Sequence, residues 1–432
     1  MLDDPRSFLK SLFDAAVSAA DPENVIGGFL PAPVKGRTVV IGAGKASAAM
    51  AASFERAWRA RGLGPLEGLV VTRYGHAKPC ENIEIIEAAH PVPDEKGAAA
   101  AGRILDLVKN LGPNDQVVAL LSGGGSALLS LPPDAVGMDV KRAVNKTLLV
   151  SGASIHEMNC IRKHLSLIKG GRLARAAHPA KVISLILSDV PGDDPAIVAS
   201  GPTIPSATTR ADALAMIERY KMDIPHAALA WLKSAAAAAP MPNDPDFAGD
   251  SHFVIANAQM SLEAAARAAQ AAGVTPYILS DSIEGEARDA GAVFAAIARQ
   301  IAAKNQPFPK PCVLLSGGET TVTVRSTEGR GGRNTEFLLA FAIGIAGVPG
   351  VTALSADTDG IDGTEDNAGA FCDGETSVRL FASGKNPKTC LAQNDAFTAF
   401  MQLGDLFVTG PTRTNVNDFR AILITDSVRG PS

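Results

Sequence analysis

Several short glycine-containing segments hold residues that could bind an anion, and the most prominent is Leu120–Pro132, LLSGGGSALLSLP. An apolar run enters three glycines that stand between Ser122 and Ser126, and a helix-like segment follows. Loops of this kind cradle phosphates because bare N–H groups at a helix N-terminus point at the ligand and no Cβ blocks its approach. A tight turn that binds nothing has the same pattern, so this segment alone leaves both interpretations open.

A lysine follows a second glycine turn. Arg37–Ile41 reads as a buried strand that runs into the segment Gly42–Ser47, GAGKAS, and then into an alanine-rich helix. The dinucleotide fingerprint is incomplete, because Ser47 stands at its last glycine position and Arg73 closes the next strand in place of an acidic residue. Walker A is excluded because Ala follows Lys45. The pattern predicts a Lys45 ammonium beside an anion at a helix N-terminus.

A basic run follows a single helix that the pattern predicts over Lys141–Ile161, and it contains Arg162 and Lys169. Such runs are more often a solvated helix face than a binding site. Here Gly170 and the glycine after it stand directly before a predicted helix, Arg172–Ala177, which is again a geometry that receives anions. Two histidines that precede prolines, His90 and His178, are expected to have structural roles.

Carboxylates stand at the ends of predicted strands, where open α/β sheets place their ligands. Asp189 follows the strand Val182–Leu187, and Asp193 stands close behind it in a supporting position. Asp357 and Asp359 belong to DTDGIDG, which fails as an EF-hand loop because an isoleucine takes the third ligand position. Clustered carboxylates can still hold Mg²⁺, which prefers one or two of them together with substrate phosphates.

The second half of the chain repeats these themes in the same order. Val313–Glu319, VLLSGGE, resembles the first glycine segment, and Gly331–Arg333 stands before a predicted helix as Gly170 does. The repeats are short, so an internal duplication and chance recurrence both stay open. A duplication predicts superposition of two residue pairs, Ser122 with Ser316 and Asp189 with Asp357.

Length and composition predict a folded α/β chain with two domains. A length of 432 residues exceeds one ordinary core, at roughly 150 residues per domain. Strand and helix patterns alternate, and in the first half of the chain this favours a parallel sheet. The proline-rich segment Ala235–Asp250 predicts a boundary between domains at 1–240 and 241–432.

Charge and cysteine usage exclude several classes of protein. A net charge of -5 gives no basic field for nucleic acid or an anionic membrane, which favours a small charged ligand. The five scattered cysteines form no disulfide or zinc pattern and fit a reducing cytoplasm. We expect no secretory leader and no membrane span, because the first helix is preceded by acidic residues and no apolar run reaches roughly 18 residues.

Nine motifs in collinear order over nearly the whole chain resemble the class II glycerate kinase (glycerate 2-kinase) family, the MOFRL-domain proteins. They are GAGKAS at Gly42, LLSGGGSALL at Leu120, RKHLSLIKGGRLA at Arg162, LSDVPGDD at Leu187, SGPT at Ser200, LLSGGETTV at Leu314, GRGGRNTEF at Gly329, SADTDGIDGT at Ser355 and TGPTRTNVND at Thr409. The chain departs from the family pattern at Arg413, where the family has glycine.

The resemblance implies an N-terminal Rossmann-like domain with a three-layer parallel sheet, a C-terminal MOFRL α/β domain at about 311–425, and an active site in the cleft between them. It implies ATP- and Mg²⁺-dependent transfer of phosphate to the 2-hydroxyl of D-glycerate, giving 2-phosphoglycerate. The family's active-site lysine and arginine fall on Lys45 and Arg333. We expect a monomer or homodimer whose partners are D-glycerate and ATP.

The remaining site predictions are our inference from the residues. Asp189 is a catalytic candidate, and Asp189, Asp357 and Asp359 are candidate metal ligands. The predicted substrate- and nucleotide-binding residues are Gly44, Ser122, Gly123, Gly124, Gly125, Ser126, Arg162, Lys169, Gly170, Gly317, Gly318, Glu319, Asn334 and Glu336.

Two alternatives come from other functional classes. Family members are often named hydroxypyruvate reductase, and the Gly42–Ser47 turn with Arg73 could serve NADPH. A reductase explains neither the glycine segment Val313–Glu319 nor the acidic loop near Asp357. A sensor that binds a sugar acid or nucleotide leaves the carboxylates without a task.

Overall fold

The computed structural model describes residues 4–326 and 328–426 and divides the chain into two compact units. The first unit is Pro22–Ile255, and the second unit combines Met1–Asp21 with Ala256–Ser432. This division differs from the predicted domains 1–240 and 241–432 at two places, because a strand after residue 250 joins the first sheet and the N-terminal helix packs on the second unit. The outermost residues of the predicted domains, 1–3 and 427–432, lie outside the described residues.

The sheet of the first unit has six strands in the order β3-β2-β1-β4-β5-β6. All described pairings from β3 across to β5 are parallel, which confirms the predicted Rossmann-like parallel sheet. The last strand, β6, had been expected to begin the second domain. The strands are β1 (Thr38–Ala43), β2 (Glu67–Arg73), β3 (Ile83–Ala88), β4 (Gln116–Ser122), β5 (Lys181–Leu187) and β6 (Ser251–Ala256).

Helices pack against this sheet. Val39, Val117 and Val182 of the strands pack against Ile104 and Leu173 of the helices, which gives a continuous apolar core. The helices of the first unit are α2 (Pro22–Val25), α3 (Ser47–Ala60), α4 (Glu95–Val108), α5 (Gly125–Leu128), α6 (Gly137–Val150), α7 (Ile155–His164), α8 (Arg172–Ala177), α9 (Arg210–Arg219) and α10 (His226–Lys233).

The single helix predicted over Lys141–Ile161 is wrong, because two helices, α6 and α7, cover these residues. Ser154 starts α7 with a reciprocal capping box, in which its hydroxyl accepts from the Glu157 N–H and the Glu157 carboxylate accepts from the Ser154 N–H. The break redirects the chain, and it lets α6 and α7 pack together with α9 and α10 in a separate apolar cluster.

The sheet of the second unit is mixed, with strand order β11-β10-β9-β12-β8-β7. Only β7 and β8 pair in parallel among its described pairings. The α/β domain predicted for this half of the chain is confirmed, with a mixed sheet. The strands are β7 (Thr275–Glu286), β8 (Cys312–Thr321), β9 (Val351–Asp357), β10 (Gly369–Asp373), β11 (Leu406–Phe407) and β12 (Asp418–Ile424).

The two sheets argue against the internal duplication. Ser122 ends β4 and Asp189 follows β5, and these strands are direct neighbours. Ser316 and Asp357 lie on β8 and β9, which β12 separates. The two residue pairs therefore cannot superpose together, because strands that are neighbours in one sheet are one strand apart in the other.

Helices cover both faces of the second sheet. Phe294 and Phe337 lie in the core of one face, whereas Phe8, Phe13 and Leu262 lie in the core of the other. The N-terminal helix is therefore an integral layer of the second unit. Its helices are α1 (Pro5–Ala19), α11 (Ala258–Ala271), α12 (Ala287–Lys304), α13 (Arg333–Gly344), α14 (Thr376–Ala382), α15 (Pro387–Ala392) and α16 (Ala396–Leu403).

Among the described residues, the helices are all too short or too polar to cross a membrane. The five cysteines are free thiols, and four of them are buried. Burial raises the pKa of Cys312 to about 11, so this thiol stays protonated at neutral pH.

Candidate functional site

The glycine loop, residues 123–126, and Lys45 lie at the point where the strand order of the first sheet reverses. The chain adds β2 and β3 on one side of β1 and then returns to place β4 on the other side. Ligands of open α/β sheets bind beyond the carboxyl ends of the strands at such a point. The Lys45 Cγ would lie only 3.2 Å from a Cβ built on Gly124, so the lysine packs directly against the glycine loop.

The turn between β1 and α3 uses its N–H groups within the protein. Gly44 N donates to the Val71 carbonyl at 3.1 Å, and Lys45 N donates to the Gly123 carbonyl at 2.8 Å. The next N–H, from Ala46, donates to the Ser122 hydroxyl at 3.1 Å. Gly44, predicted to bind a ligand, thus ties its turn to β2, whereas Lys45 N, Ala46 N and the Ser122 hydroxyl join the turn to the glycine loop, and these N–H groups do not form an anion cradle.

Two glycines of the loop are required by the backbone and by close packing. Gly124 has φ +79°, a left-handed conformation that glycine adopts without a Cβ clash. A Cβ on Gly125 would lie 2.6 Å from the Ala43 carbonyl oxygen and 2.7 Å from the Ala199 Cβ. Glycines at these positions thus let the loop approach β1 closely.

A cavity of about 140 Å³ lies beside the glycine loop in the first unit. It brings together four predicted residues, which are Gly124, Ser126, Arg162 and Lys169, with residues that were not predicted. Its lining residues are His90, Pro91, Gly124, Ser126, Ala127, Lys141, Asn145, Arg162 and Lys169.

Lys169 holds the serine of the glycine loop. Its Nζ donates to the Ser126 carbonyl at 2.5 Å and to the Ser126 hydroxyl at 2.7 Å. A series of hydrogen bonds continues from this serine. Ser126 Oγ and Ser200 Oγ are 2.7 Å apart, and Ser200 Oγ donates to Asn159 Oδ1 at 3.1 Å. Burial, together with the charges of Lys141 and Arg162, holds the pKa of Lys169 well below its usual range.

Lys141 differs from the other two cations of the cavity in its lack of hydrogen bonds within the part of the chain that the structure describes. Its side chain is buried, and Nζ has no hydrogen-bond partner among the described residues. Burial, together with the nearby Arg162 charge, lowers its pKa from 10.5 to about 8. Arg162 donates to Asn145 Oδ1 and Asn159 Oδ1, each at 3.4 Å, and burial also lowers its pKa.

The Gly170 turn supports the cavity from behind and does not receive an anion. Gly170 N donates to the Ser200 carbonyl, and Gly171 N donates to the Gly201 carbonyl. Ser200 itself has φ +62° and is fully buried, a costly conformation that these bonds maintain. The predicted ligand-binding role of Gly170 is therefore replaced by a structural one.

In the second unit, Arg333 is the centre of a cluster of carboxylates. Its Nε donates to Asp418 at 2.6 Å, one terminal nitrogen donates to Asp357 at 2.6 Å, and another lies 3.7 Å from Glu319. Burial disfavours the guanidinium charge, but these carboxylates outweigh burial and raise the pKa of Arg333 well above its ordinary value. Arg333 is thus a fixed cation, and Glu319, half exposed, is its most accessible partner.

The N-terminus of α13, where Arg333 begins the helix, already holds an anion from the chain itself. The Asp362 carboxylate accepts from the N–H groups of Asn334 and Thr335, each at 2.9 Å, and from the Thr335 hydroxyl at 2.8 Å. A Cβ on Gly332 would lie 2.3 Å from Asp362 Oδ1, so glycine gives the carboxylate its access. The geometry predicted to receive a ligand anion is real, but Asp362 fills it.

The glycine segment at Gly317 and Gly318 is not a loop. Gly317 and Gly318 continue β8, so the prediction of a phosphate-binding turn here is wrong. Gly318 has φ +120°, and a Cβ there would lie 2.2 Å from the Ile283 nitrogen. These glycines serve the close and irregular pairing of β8 with β7.

Two other predicted residues of this unit are buried in its hydrogen-bond networks. Asn334 donates to Asp418 at 2.9 Å and accepts from the Ser355 hydroxyl at 2.6 Å. Glu336 pairs with Arg288, and burial raises the pKa of Glu336 despite that partner. Asn334 therefore orients the Arg333 cluster, whereas Glu336 stabilises the core.

The predicted metal ligands have partners of their own. Asp357 Oδ1 accepts from the Asp359 N–H at 3.0 Å, and Asp359 Oδ1 accepts from the Ile361 N–H at 2.9 Å. Asp189 follows β5 at the carboxyl edge of the first sheet, and Asp193 has φ +54° in the turn behind it. Within residues 4–326 and 328–426, no group of three or more His, Cys, Asp or Glu side chains is arranged to hold a metal ion.

Comparisons with known proteins match nearly the whole chain. A domain family of unknown function, DUF4147, matches residues 8–233, and the MOFRL family matches residues 312–418. A D-glycerate 2-kinase of Thermotoga maritima is 40% identical over 96% of this chain and 98% of its own length. A putative hydroxypyruvate reductase of Agrobacterium vitis is 54% identical over 97% of this chain and 94% of its own.

A solved structure agrees with the sequence matches. The crystal structure of a glycerate kinase from Thermotoga maritima superposes with a TM-score of 0.85 at 38% identity, and the match covers 98% of this chain and 100% of that one. The chain belongs to the class II glycerate kinase family. The resemblance inferred from the nine motifs is thereby confirmed.

The backbone at position 413 has the conformation that favours glycine. Arg413 has φ +66°, the left-handed region that glycine adopts without strain. This conformation is consistent with the glycine that the resemblance implies at this position, and an arginine there has a conformational cost.

Lys141, Asn145 and His90 were not predicted as site residues, although they line the cavity beside the glycine loop. A signal for Lys141 was present, because it stands at helical spacing with Val144 and Leu148, the buried stripe of α6. A lysine among the buried apolar residues of a helix is unusual, because lysine is almost never fully buried unless its charge is paired. For His90, which the sequence analysis assigned a structural role, the chain offers no comparable signal.

Proposed function

We propose that this protein transfers a phosphoryl group from ATP to the 2-hydroxyl of D-glycerate and forms 2-phosphoglycerate. The observation that carries the proposal is the cavity beside the glycine loop, where three cationic side chains surround a space suited to a small anion. Glycerate is such an anion. The name of the Thermotoga relative, D-glycerate 2-kinase, supports the same reaction, and the name of the Thermotoga crystal structure supports phosphorylation of glycerate.

The chain offers two cations that are candidates for stabilising the transferred phosphoryl group. Lys45 packs on the glycine loop, and Arg333 is held by Asp357 and Asp418. Phosphoryl transfer requires little covalent chemistry from a protein, since positioning and stabilisation of charge on the phosphoryl oxygens supply most of the rate. We assign that stabilising role to Lys45 and Arg333.

The donor set fits a magnesium ion that arrives with the nucleotide. The carboxylates of the acidic loop already accept hydrogen bonds from the chain, and no described cluster of three offers a closed metal site. Mg²⁺ needs only one or two carboxylates when phosphates and water complete its shell. We therefore propose MgATP as the donor substrate, with Asp189, Asp357 and Asp359 as candidate contacts to the metal or its water.

Reduction of hydroxypyruvate is less well supported, although the Agrobacterium relative carries that name. A Rossmann dinucleotide site offers free N–H groups at the first glycine turn to the pyrophosphate. Here the N–H groups of Gly44, Lys45 and Ala46 donate to acceptors within the protein. This observation favours the kinase over an NAD(P)H-dependent enzyme.

One assay run in two ways tests the proposal. Purified protein is incubated with D-glycerate, ATP and Mg²⁺ while ADP release is followed, and separately with hydroxypyruvate and NADH or NADPH while cofactor oxidation is followed. The expected result is ADP release that needs D-glycerate and that falls in Lys45→Ala but not in Lys35→Ala, an exposed lysine of the same unit. Cofactor oxidation without ADP release would contradict it.

A further inference from the structure

The cavity beside the glycine loop has an unbalanced positive charge. Lys141, Arg162 and Lys169 line it, and its described lining includes neither aspartate nor glutamate. Enclosed like charges raise one another's energy, and each lowers the pKa of its neighbours, as Lys141 and Arg162 do to Lys169. A bound anion would relieve this repulsion, so the cavity has the electrostatics of an anion site.

Lys141 is the cation that most needs a ligand. Its side chain is only 4% exposed, and Nζ has no hydrogen-bond partner among the described residues. Lys169, in contrast, donates twice to Ser126, and Arg162 donates to two asparagines. A buried ammonium without a partner loses its hydration with no compensation. The Lys141 ammonium is therefore positioned to bind a group that enters the cavity.

The volume of the cavity limits the size of the group that it can enclose. At about 140 Å³ it is less than half of the roughly 300 Å³ at which pockets for drug-sized ligands begin. A whole nucleoside triphosphate cannot be enclosed in it, whereas a three-carbon acid or one terminal phosphate can. Both are oxyanions that cations would bind.

We infer that this cavity binds the carboxylate of a three-carbon 2-hydroxy acid, with Lys141 and Arg162 as its charged partners. The inference rests on the proposed function and assigns its acceptor subsite. The 2-hydroxyl is on the carbon next to the carboxylate, so a fixed carboxylate restricts where that hydroxyl can lie. Such orientation is worth a large part of a transfer barrier, and it favours the 2-hydroxyl over the 3-hydroxyl.

Steady-state kinetics of two matched variants test the assignment and separate the two oxyanions. Lys141→Met removes one of the three cationic side chains of the cavity, and Lys146→Met removes a charge from the exposed face of the same helix. We expect Lys141→Met to raise KM for D-glycerate by about 10- to 100-fold, as loss of a charged hydrogen bond does, with KM for ATP within about twofold. Lys141→Arg should recover part of the loss, and Lys146→Met should match the wild type.

Binding calorimetry with D-glycerate, with and without a non-hydrolysable ATP analogue, separates this inference from the proposed function. Binding that weakens in Lys141→Met but not in Lys146→Met supports the inference, even if the wild type releases no ADP. Catalysis by the wild type with unchanged D-glycerate binding in Lys141→Met overturns the inference and leaves the proposed function intact. A rise in KM for ATP alone assigns the cavity to the terminal phosphate and also overturns it. Circular dichroism confirms that the variants are folded.

Discussion

The buried charge of Lys141 predicts that its removal stabilises the free protein. In the folded state burial disfavours the ammonium and lowers the pKa from 10.5 to about 8. At about 1.4 kcal/mol for each pKa unit, the charged lysine costs the folded state about 3 kcal/mol at pH 7. Methionine has a similar length and no charge, so Lys141→Met should gain up to about 3 kcal/mol in the free energy of unfolding.

The pH dependence of this gain follows from the same pKa values. Below pH 8 the lysine is charged in both states and the full cost is present. Between pH 8 and 10.5 the folded state loses the proton while the unfolded state keeps it, so the wild type becomes more stable relative to the variant. The advantage of Lys141→Met should therefore shrink to below about 1 kcal/mol by pH 10.

The positions of the tryptophans give a clean assay. The chain has two, Trp58 and Trp231, and both lie in the first unit with Lys141. Urea unfolding followed by tryptophan fluorescence thus reports on the unit that carries the change. Lys146→Met, at an exposed position of the same helix, is the control and should unfold like the wild type. A Lys141→Met variant that is less stable at pH 7, or whose advantage is the same at pH 10, would refute the reasoning.

Three further predictions concern the second unit and the transfer step. Lys45→Ala and Arg333→Ala should each lower kcat by about 10²-fold with the fold intact, as loss of an electrostatic donor does, and near-normal turnover in both would exclude their assigned role. Asp362→Ala should cost about 1–2 kcal/mol in thermal unfolding, because it removes the carboxylate that caps α13, and equal loss in exposed Asp366→Ala would argue against capping. Arg413→Gly should raise stability by about 0.5–1 kcal/mol, since glycine adopts φ +66° without a Cβ clash, and a lower melting temperature would contradict this.

The architecture of the first unit could be predicted from sequence because its signals are local. The apolar run at Val117–Leu121 and the glycines after it indicate a strand and a turn without reference to the rest of the chain. The parallel arrangement followed from the alternation of strands with helices. Long-range pairing is not a local property, so nothing near Ser251–Ala256 indicated that this strand joins the first sheet.

The site predictions failed where a glycine motif has two physical uses. Glycine before a helix gives access to an anion, but the anion at α13 is Asp362, 28 residues after Asn334, and only tertiary structure shows this. Gly317 and Gly318 look like a loop but permit close pairing of strands. Ser126 and Lys169 contact each other directly and line one cavity, and their role in binding substrate or nucleotide stays a prediction.

The most direct test of the central claim is the identity of the product. D-glycerate is incubated with the protein, ATP and Mg²⁺, and phosphorus NMR distinguishes a phosphate on the 2-oxygen from one on the 3-oxygen by its coupling to one or two protons. We expect 2-phosphoglycerate and ADP in equal amounts. Formation of 3-phosphoglycerate, or no phosphorylated acid while hydroxypyruvate is reduced, would contradict it.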